Sequence, residues 1–444
     1  MTTIRPLPWL KAHAKGLALT LMALAAVAYV GFIYRYGVNV PFQDEWALVI
    51  LYRSVVHGQL TLMALWTQHN ENRMLFPNLL MLGLDELSHF DTKVEMYVSA
   101  GMLLVAVALI GLLYQRTVGR SPLWFLPAGF LLLSWVQYVV ALQGFAIALY
   151  LVVLGLAVGL VALAAAERRP AFLAVAIAAA TVASYSSTQG LAVWAAGLVF
   201  LLARGQSRLR CWLWIASACV ISAIYWIGFI WSDSGGGLHW DLDHLRPSLH
   251  YFFLLAGATI SPSRVLRIGL TAQAIVGLIL VLAGLAAYGY WLWRRSSGEW
   301  LAVPLALIAF GVLIDILITI GRAHLGTPTA TSPRYTLFNL WLFAGVWLAF
   351  AAIFSRTHIQ WARAVVIVLA VLCLLQIVGS YHAGLIDGRI TRSQRQEAAV
   401  LLRHYRTAPE DQVVPLVYQL YPGFRSLAAF LAHEHLSVFH DPGS

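Results

Sequence analysis

Between residues 41 and 78 the chain carries two short polar clusters in otherwise apolar surroundings. The first is Asp44-Glu45. The second is His69-Asn70-Glu71-Asn72-Arg73, closed by Pro77. Two acidic groups with a histidine and an arginine nearby suit one kind of task. One carboxylate takes a proton from a hydroxyl nucleophile while another holds a divalent cation, and the cation or Arg73 neutralises a phosphate leaving group. An adjacent Asp-Glu pair also suits the positive end of a helix, which is a purely structural use of the same residues.

The clusters need elements to hold them. Trp46, Val49, Ile50, Val55 and Val56 recur at helical spacing, and His57-Gly58 ends that run, so an amphipathic helix separates the two clusters. Around this stretch the chain is 60% hydrophobic and only 11% charged over 444 residues. A soluble fold of that size could not hide so much apolar surface, so lipid is the solvent for most of it. The net charge of +10 suggests nucleic acid, but the basic residues sit in short loops between apolar runs, which excludes that partner. Cys211, Cys219 and Cys373 all lie inside apolar runs and form neither a disulfide framework nor a metal-thiolate spacing.

An all-α polytopic membrane protein of about eleven transmembrane helices is therefore expected. The spans are placed at 16–34, 94–114, 121–135, 144–166, 170–187, 189–203, 211–231, 268–293, 300–320, 335–355 and 362–380, with 121–135 and 189–203 short for a bilayer of roughly 30 Å. The first reads as an uncleaved signal-anchor. With a cytoplasmic N-terminus, the short loops facing the cytoplasm carry Lys and Arg against only Glu167 and Glu299. That is a positive-inside bias repeated at every one of those loops. Residues 1–380 then form a transmembrane domain with a large first extracytoplasmic loop (35–93) and a further outer loop (232–267). Residues 381–444 form a small extracytoplasmic segment, amphipathic around Glu397 to Tyr405.

On these residues the chain resembles the GT-C superfamily of integral-membrane glycosyltransferases, which includes protein O-mannosyltransferases and lipid A aminoarabinose transferases. Asp44-Glu45 matches the acidic motif just after the first span, Gly58 the end of the following helix, and Glu71, Arg73 and Pro77 the second motif. The sequence departs from the aminoarabinose branch where His69 to Arg73 replaces a Glu-Lys-Pro-Pro element. The resemblance implies a GT-C-like fold in a bacterial inner membrane and a polyprenyl-phosphate-linked sugar as donor, with an acceptor it leaves open. It implies Asp44 as general base. Glu45 or Glu71 would orient the reaction or hold a divalent metal, with Asp44, Glu71 and His69 as the ligand set.

Further polar residues stand near the outer ends of later spans. Arg322, His324, Arg334 and Tyr335 flank GTPTATSP, where an arginine pair suits a polyprenyl phosphate or snorkels to lipid headgroups. Asp315, inside a span, is costly unless paired, and Arg322 is its expected partner. Gln137, Gln143, Gly144 and the turn Ser184 to Gly190 suit a sugar pocket or satisfy helix ends. In the fourth outer loop (232–267), Gly235 to Gly237 make a flexible turn, and His239, Asp241, Asp243 and His244 have metal-compatible chemistry. The alternative is a transporter or flippase for a lipid-linked or anionic substrate. That reading asks for ionisable residues at the midplane and repeated halves, whereas the polar groups here gather in loops. An O-antigen polymerase or ligase would instead place its large loop late in the chain.

Overall fold

The computed structural model describes residues 8–119, 121–230, 242–260, 269–294, 298–357, 359–417 and 423–440. Gly235 to Gly237, His239 and Asp241 lie outside them, and nothing is described of the side chains of Asp243 and His244. Helix dominates because a chain in hydrocarbon must satisfy its backbone N–H and C=O groups within itself. After α1 (Pro8–Tyr36) come α2 (Glu45–Val56), α3 (Leu62–Trp66), a hairpin of β1 (Gln68–His69) and β2 (Asn72–Arg73), and α4 (Leu75–Ser88). The bundle continues with α5 (Thr92–Val118), α6 (Leu126–Leu132), α7 (Tyr138–Ala141), α8 (Ile147–Ala166), α9 (Phe172–Ser184), α10 (Ala192–Ala203) and α11 (Arg208–Trp226). Then follow α12 (Leu242–Ala256), α13 (Leu270–Trp293), α14 (Ala302–Arg322), the single turn α15 (Thr327–Ala330) and α16 (Thr336–Thr357). α17 (Gln360–Arg403), α18 (Glu410–Val417) and α19 (Phe424–His433) close the chain.

Among the described residues, nine helical stretches are long and apolar enough to cross a bilayer. The protein is an all-α, multi-pass membrane protein. α9 and α10, expected as spans, have 13 and 12 residues. At about 1.5 Å per residue each falls well short of a ~30 Å hydrocarbon core. α14 and α16 pack together at the centre, with α10 against α14 and α8 against α10 in turn. α1, α11, α13 and α17 stand outside and expose Leu24, Val220, Leu285, Leu375 and similar side chains. That distribution suits lipid on the outside and protein within.

Two departures from the expected spans shape the site. The span expected at 121–135 is a run of short helical pieces from Pro122 to Ala141, interrupted at Ser134. There Ser134 Oγ accepts from the Val136 N–H (3.3 Å), and the Gln137 amide donates to the Leu132 carbonyl (2.9 Å). Side chains thus replace backbone bonds lost at the break. The second departure is the α9–α10 turn. α9 closes tightly on α8 because Gly155 has no side chain; a Cβ there would stand 2.8 Å from Ala183 Cβ. Since Gly155 is two turns into α8, the turn after Ser184 is recessed between helices.

A second apolar core sits at one end of the bundle. It joins Trp46, Val49, Tyr52, Met81 and Phe90 from the segment between α1 and α5 to Leu402, Tyr405, Leu427 and Leu431 from the C-terminal segment. α17 makes this possible by running unbroken through residue 380 for 44 residues. That is about 66 Å, longer than a bilayer is thick. Trp46 meets Phe424 edge-on at 5.2 Å, the Ser437 N–H donates to His89 O (2.8 Å), and Gln43 N–H donates to Leu416 O (3.2 Å). The two segments form one cap.

Candidate functional site

Where the cap meets the bundle lies a cleft of about 400 Å³. α2 follows the expected amphipathic run and stops where Gly58 takes a left-handed φ of +66°, open to glycine at no steric cost. Asp44 stands at its N-terminus, yet its side chain makes no capping bond. Its carboxylate faces the cleft instead, with Oδ1 3.7 Å from His69 Nε2. That is too long for a direct hydrogen bond. The preceding Gln43 has φ +51°, an uncommon conformation for a residue with a side chain, and its bond to the C-terminal segment holds it there.

The hairpin presents the second cluster, turning through Asn70 at φ +50°. His69 packs edge-on against Phe145 at 5.1 Å. Glu71 Oε2 pairs with Arg322 Nη2 at 2.5 Å, across 251 positions of sequence. The Glu71 carbonyl accepts from Tyr225 OH (2.8 Å) and from Thr188 Oγ1. Asn72 Oδ1 accepts from the Thr188 N–H (3.0 Å) and Ser187 Oγ (2.9 Å). The hairpin is thereby fastened to the recessed α9–α10 turn.

Asp44, His69, Glu71, Arg322 and Arg334 all line this cleft, as do Gln143 and Ser186 to Gln189. Arg334 lies over the Tyr335 ring at 5.3 Å and has no acidic partner within ion-pair distance among the described residues. Burial alone would raise the Asp44 pKa. The adjacent His69 imidazole, and then Arg334 and Arg322, outweigh it and hold the carboxyl below its ordinary value.

Other expected residues stand elsewhere. Arg73 is buried and donates to the carbonyls of Tyr225 (2.7 Å), Ile227 (2.5 Å) and Trp66 (3.1 Å), with its guanidinium over the Trp66 ring at 4.8 Å. Those bonds tie the hairpin to the end of α11 and occupy the guanidinium with main-chain carbonyls. Glu45 is fully buried behind Asp44. Its oxygens accept from the N–H groups of Phe42 (2.7 Å), Gly144 (2.7 Å) and Phe145 (3.3 Å). Glu45 thus fastens the α7–α8 turn to the cap and, through it, sets Phe145 against His69. Asp315 is buried, and Arg322, its expected partner, pairs with Glu71 instead. Gln137 is buried at the helix break and His324 does not line the cleft.

The expected ligand set Asp44, Glu71 and His69 is split, because Glu71 turns to Arg322. Among the described residues no three His, Cys, Asp or Glu side chains are grouped to hold a metal ion. The pair Asp44 and His69 is the closest approach to such a set within the cleft.

A group the sequence reading missed lies beneath the site. Asp85 on α4 and Glu95 on α5 are fully buried near Glu45, with no hydrogen-bond partner on either carboxylate. A Cβ on Gly144 would stand 1.9 Å from Glu95 Oε2, so only glycine allows the α7–α8 turn to lie there. Burial, reinforced by the charge of Glu45, raises the Asp85 pKa to about 8. The Glu45 pKa is also raised by burial, against the opposing effects of Arg395 and the three N–H groups. The sequence signal was a charge interrupting an apolar run at Leu79 to Leu84, read there as loop.

Comparison with protein-family models gave no match, and comparison with curated protein sequences gave none either.

Proposed function

We propose that the protein is a membrane glycosyltransferase that moves a sugar from a polyprenyl-phosphate carrier to an extracytoplasmic acceptor in the cell envelope. The cap would face the extracytoplasmic side of a bacterial inner membrane. The observation that carries this reading is the meeting of Asp44, Glu71, Arg322 and Arg334 in one cleft, drawn from positions up to 290 residues apart. A general base and a guanidinium without an acidic partner, lining one cleft, are what glycosyl transfer from a phosphate requires. A GT-C-like arrangement of the first loop agrees with it.

In this mechanism the acceptor hydroxyl oxygen attacks the anomeric carbon, the bond from that carbon to the phosphate oxygen breaks, and the hydroxyl proton passes to Asp44. An ionised Asp44 within reach of the nucleophile is the group suited to that proton. Arg334 offsets the charge left on the polyprenyl phosphate, and Arg322 adds to it from its pair with Glu71. A divalent metal, where present, would draw on Asp44 and His69 and would lower the charge of the phosphate. The transport alternative rests on Asp315, a buried acid within α14 without a hydrogen-bond partner among the described residues. It stands off the cleft wall, which favours chemistry over passage.

The test is transfer of labelled sugar from a polyprenyl-phosphate donor in proteoliposomes. Asp44→Asn should lower transfer by about 10²–10⁴-fold, the usual contribution of a positioned general base. It should leave insertion and thermal stability near wild type. Unchanged transfer removes Asp44 as base, and substrate uptake without any transfer supports the transport alternative.

A further inference from the structure

Beside its ionisable groups the cleft is lined by Asn72, Gln143, Ser186, Ser187, Thr188 and Gln189, all neutral. Of the two carboxylates, Glu71 is neutralised by Arg322 at 2.5 Å. Asp44 faces His69 and lies in the field of Arg334 and Arg322. A cationic substituent on a bound ligand therefore finds no unpaired carboxylate away from the base.

Asn72 sharpens the point. Its Oδ1 accepts from a backbone N–H, that of Thr188, which fixes which way round the amide stands. Nδ2 must then be the other end, and among the described residues it has no hydrogen-bond partner. The fixed polar group among these neutral residues is thus a donor. It matches a hydroxyl or ring oxygen and repels an ammonium, which can only donate. Thr188 contributes less, because its hydroxyl is held by the Glu71 carbonyl and Tyr225 OH.

We infer that the transferred sugar is an uncharged one, held through its hydroxyl oxygens by the 186–189 turn, with the Asn72 amide as the specificity-determining donor. This rests on the glycosyl-transfer reading and goes further by choosing among its donors. A site built to hydrogen-bond a hydroxyl discriminates against an analogue that cannot accept the bond, since the donor is then left unpaired.

The experiment compares three probes on the full-length protein in proteoliposomes: a polyprenyl phosphate without sugar, a polyprenyl-phosphate-linked neutral hexose, and a polyprenyl-phosphate-linked amino-deoxy sugar. Binding is read by competition with a photoreactive polyprenyl phosphate. The neutral conjugate should bind at least tenfold more tightly than the amino conjugate. Asn72→Asp, which keeps the oxygen facing Thr188 and removes the donor, should cut that preference tenfold or reverse it. Equal or tighter binding of the amino conjugate by wild type overturns the inference and leaves glycosyl transfer standing. Failure of all three probes to bind overturns both. Wild type alone decides the matter if the variant does not fold.

Discussion

At Asp44 a single carboxylate is kept ionised by its neighbours. Burial opposes ionisation, and the His69 imidazole together with the Arg334 and Arg322 guanidiniums overcomes it. The active form is the deprotonated one, so a depressed pKa carries activity to lower pH. The acidic limb of the rate profile should accordingly lie below the ordinary Asp range near 4. Arg334→Gln should move that limb upward and reduce transfer by about tenfold or more, as expected for a charge-assisted contact worth roughly 1.5–3 kcal/mol. A limb that stays in place would show that Arg334 does not act on Asp44. Arg322→Gln should behave differently, because it also leaves Glu71 without its partner; loss of folded protein is expected beside loss of rate.

Elements position these residues by burying polar groups that do no chemistry themselves. Glu45 reads from the sequence as half of an acidic pair, but its oxygens bind three backbone N–H groups and draw the α7–α8 turn under the cap. Glu45→Ala leaves those N–H groups without their acceptor, which calls for about 1–3 kcal/mol of destabilisation for each stranded donor, measured as a fall in Tm. Glu45→Gln should lose less. An unaltered Tm for the alanine variant would deny Glu45 this role. Asp85 tests the same layer by pH. With its folded pKa raised, the native state holds more protons than the unfolded state between about pH 4 and 8. Stability must therefore fall as pH rises through that window. Asp85→Asn should flatten the decline and stabilise the protein at pH 8; an unchanged slope would refute it.

Over the whole molecule, the cleft exists because the two ends of the chain pack together. Leu402 on α17 is fully buried in the cap core alongside Trp46 and Met81. Leu402→Ala should cost about 3 kcal/mol, within the usual range for emptying such a site. It should also make residues 41–78 cleavable by protease at lower temperature than in wild type. Protection equal to wild type would mean the cap does not depend on the C-terminal segment. Sidedness is tested at Leu62, which is strongly exposed on the cap. In a cysteine-free background, Leu62→Cys should react with an impermeant maleimide added outside intact cells. Labelling only after lysis would invert the proposed topology and end the extracytoplasmic reading.

The membrane class, the helices and the two polar clusters were legible in sequence because each depends on neighbours within a few turns. Hydrophobic length sets a span, and Gly58 ends α2 through its own backbone freedom. The convergence of Asp44 with Arg334 was beyond that reach. So were the pairing of Arg322 with Glu71 rather than Asp315, the turning of Arg73 onto main-chain carbonyls, and the burial of Asp85 and Glu95. Each is set by which helix ends meet at the cap, and a side chain's partner 250 residues away leaves no periodicity to read. Only packing chose among the charges that composition had made available.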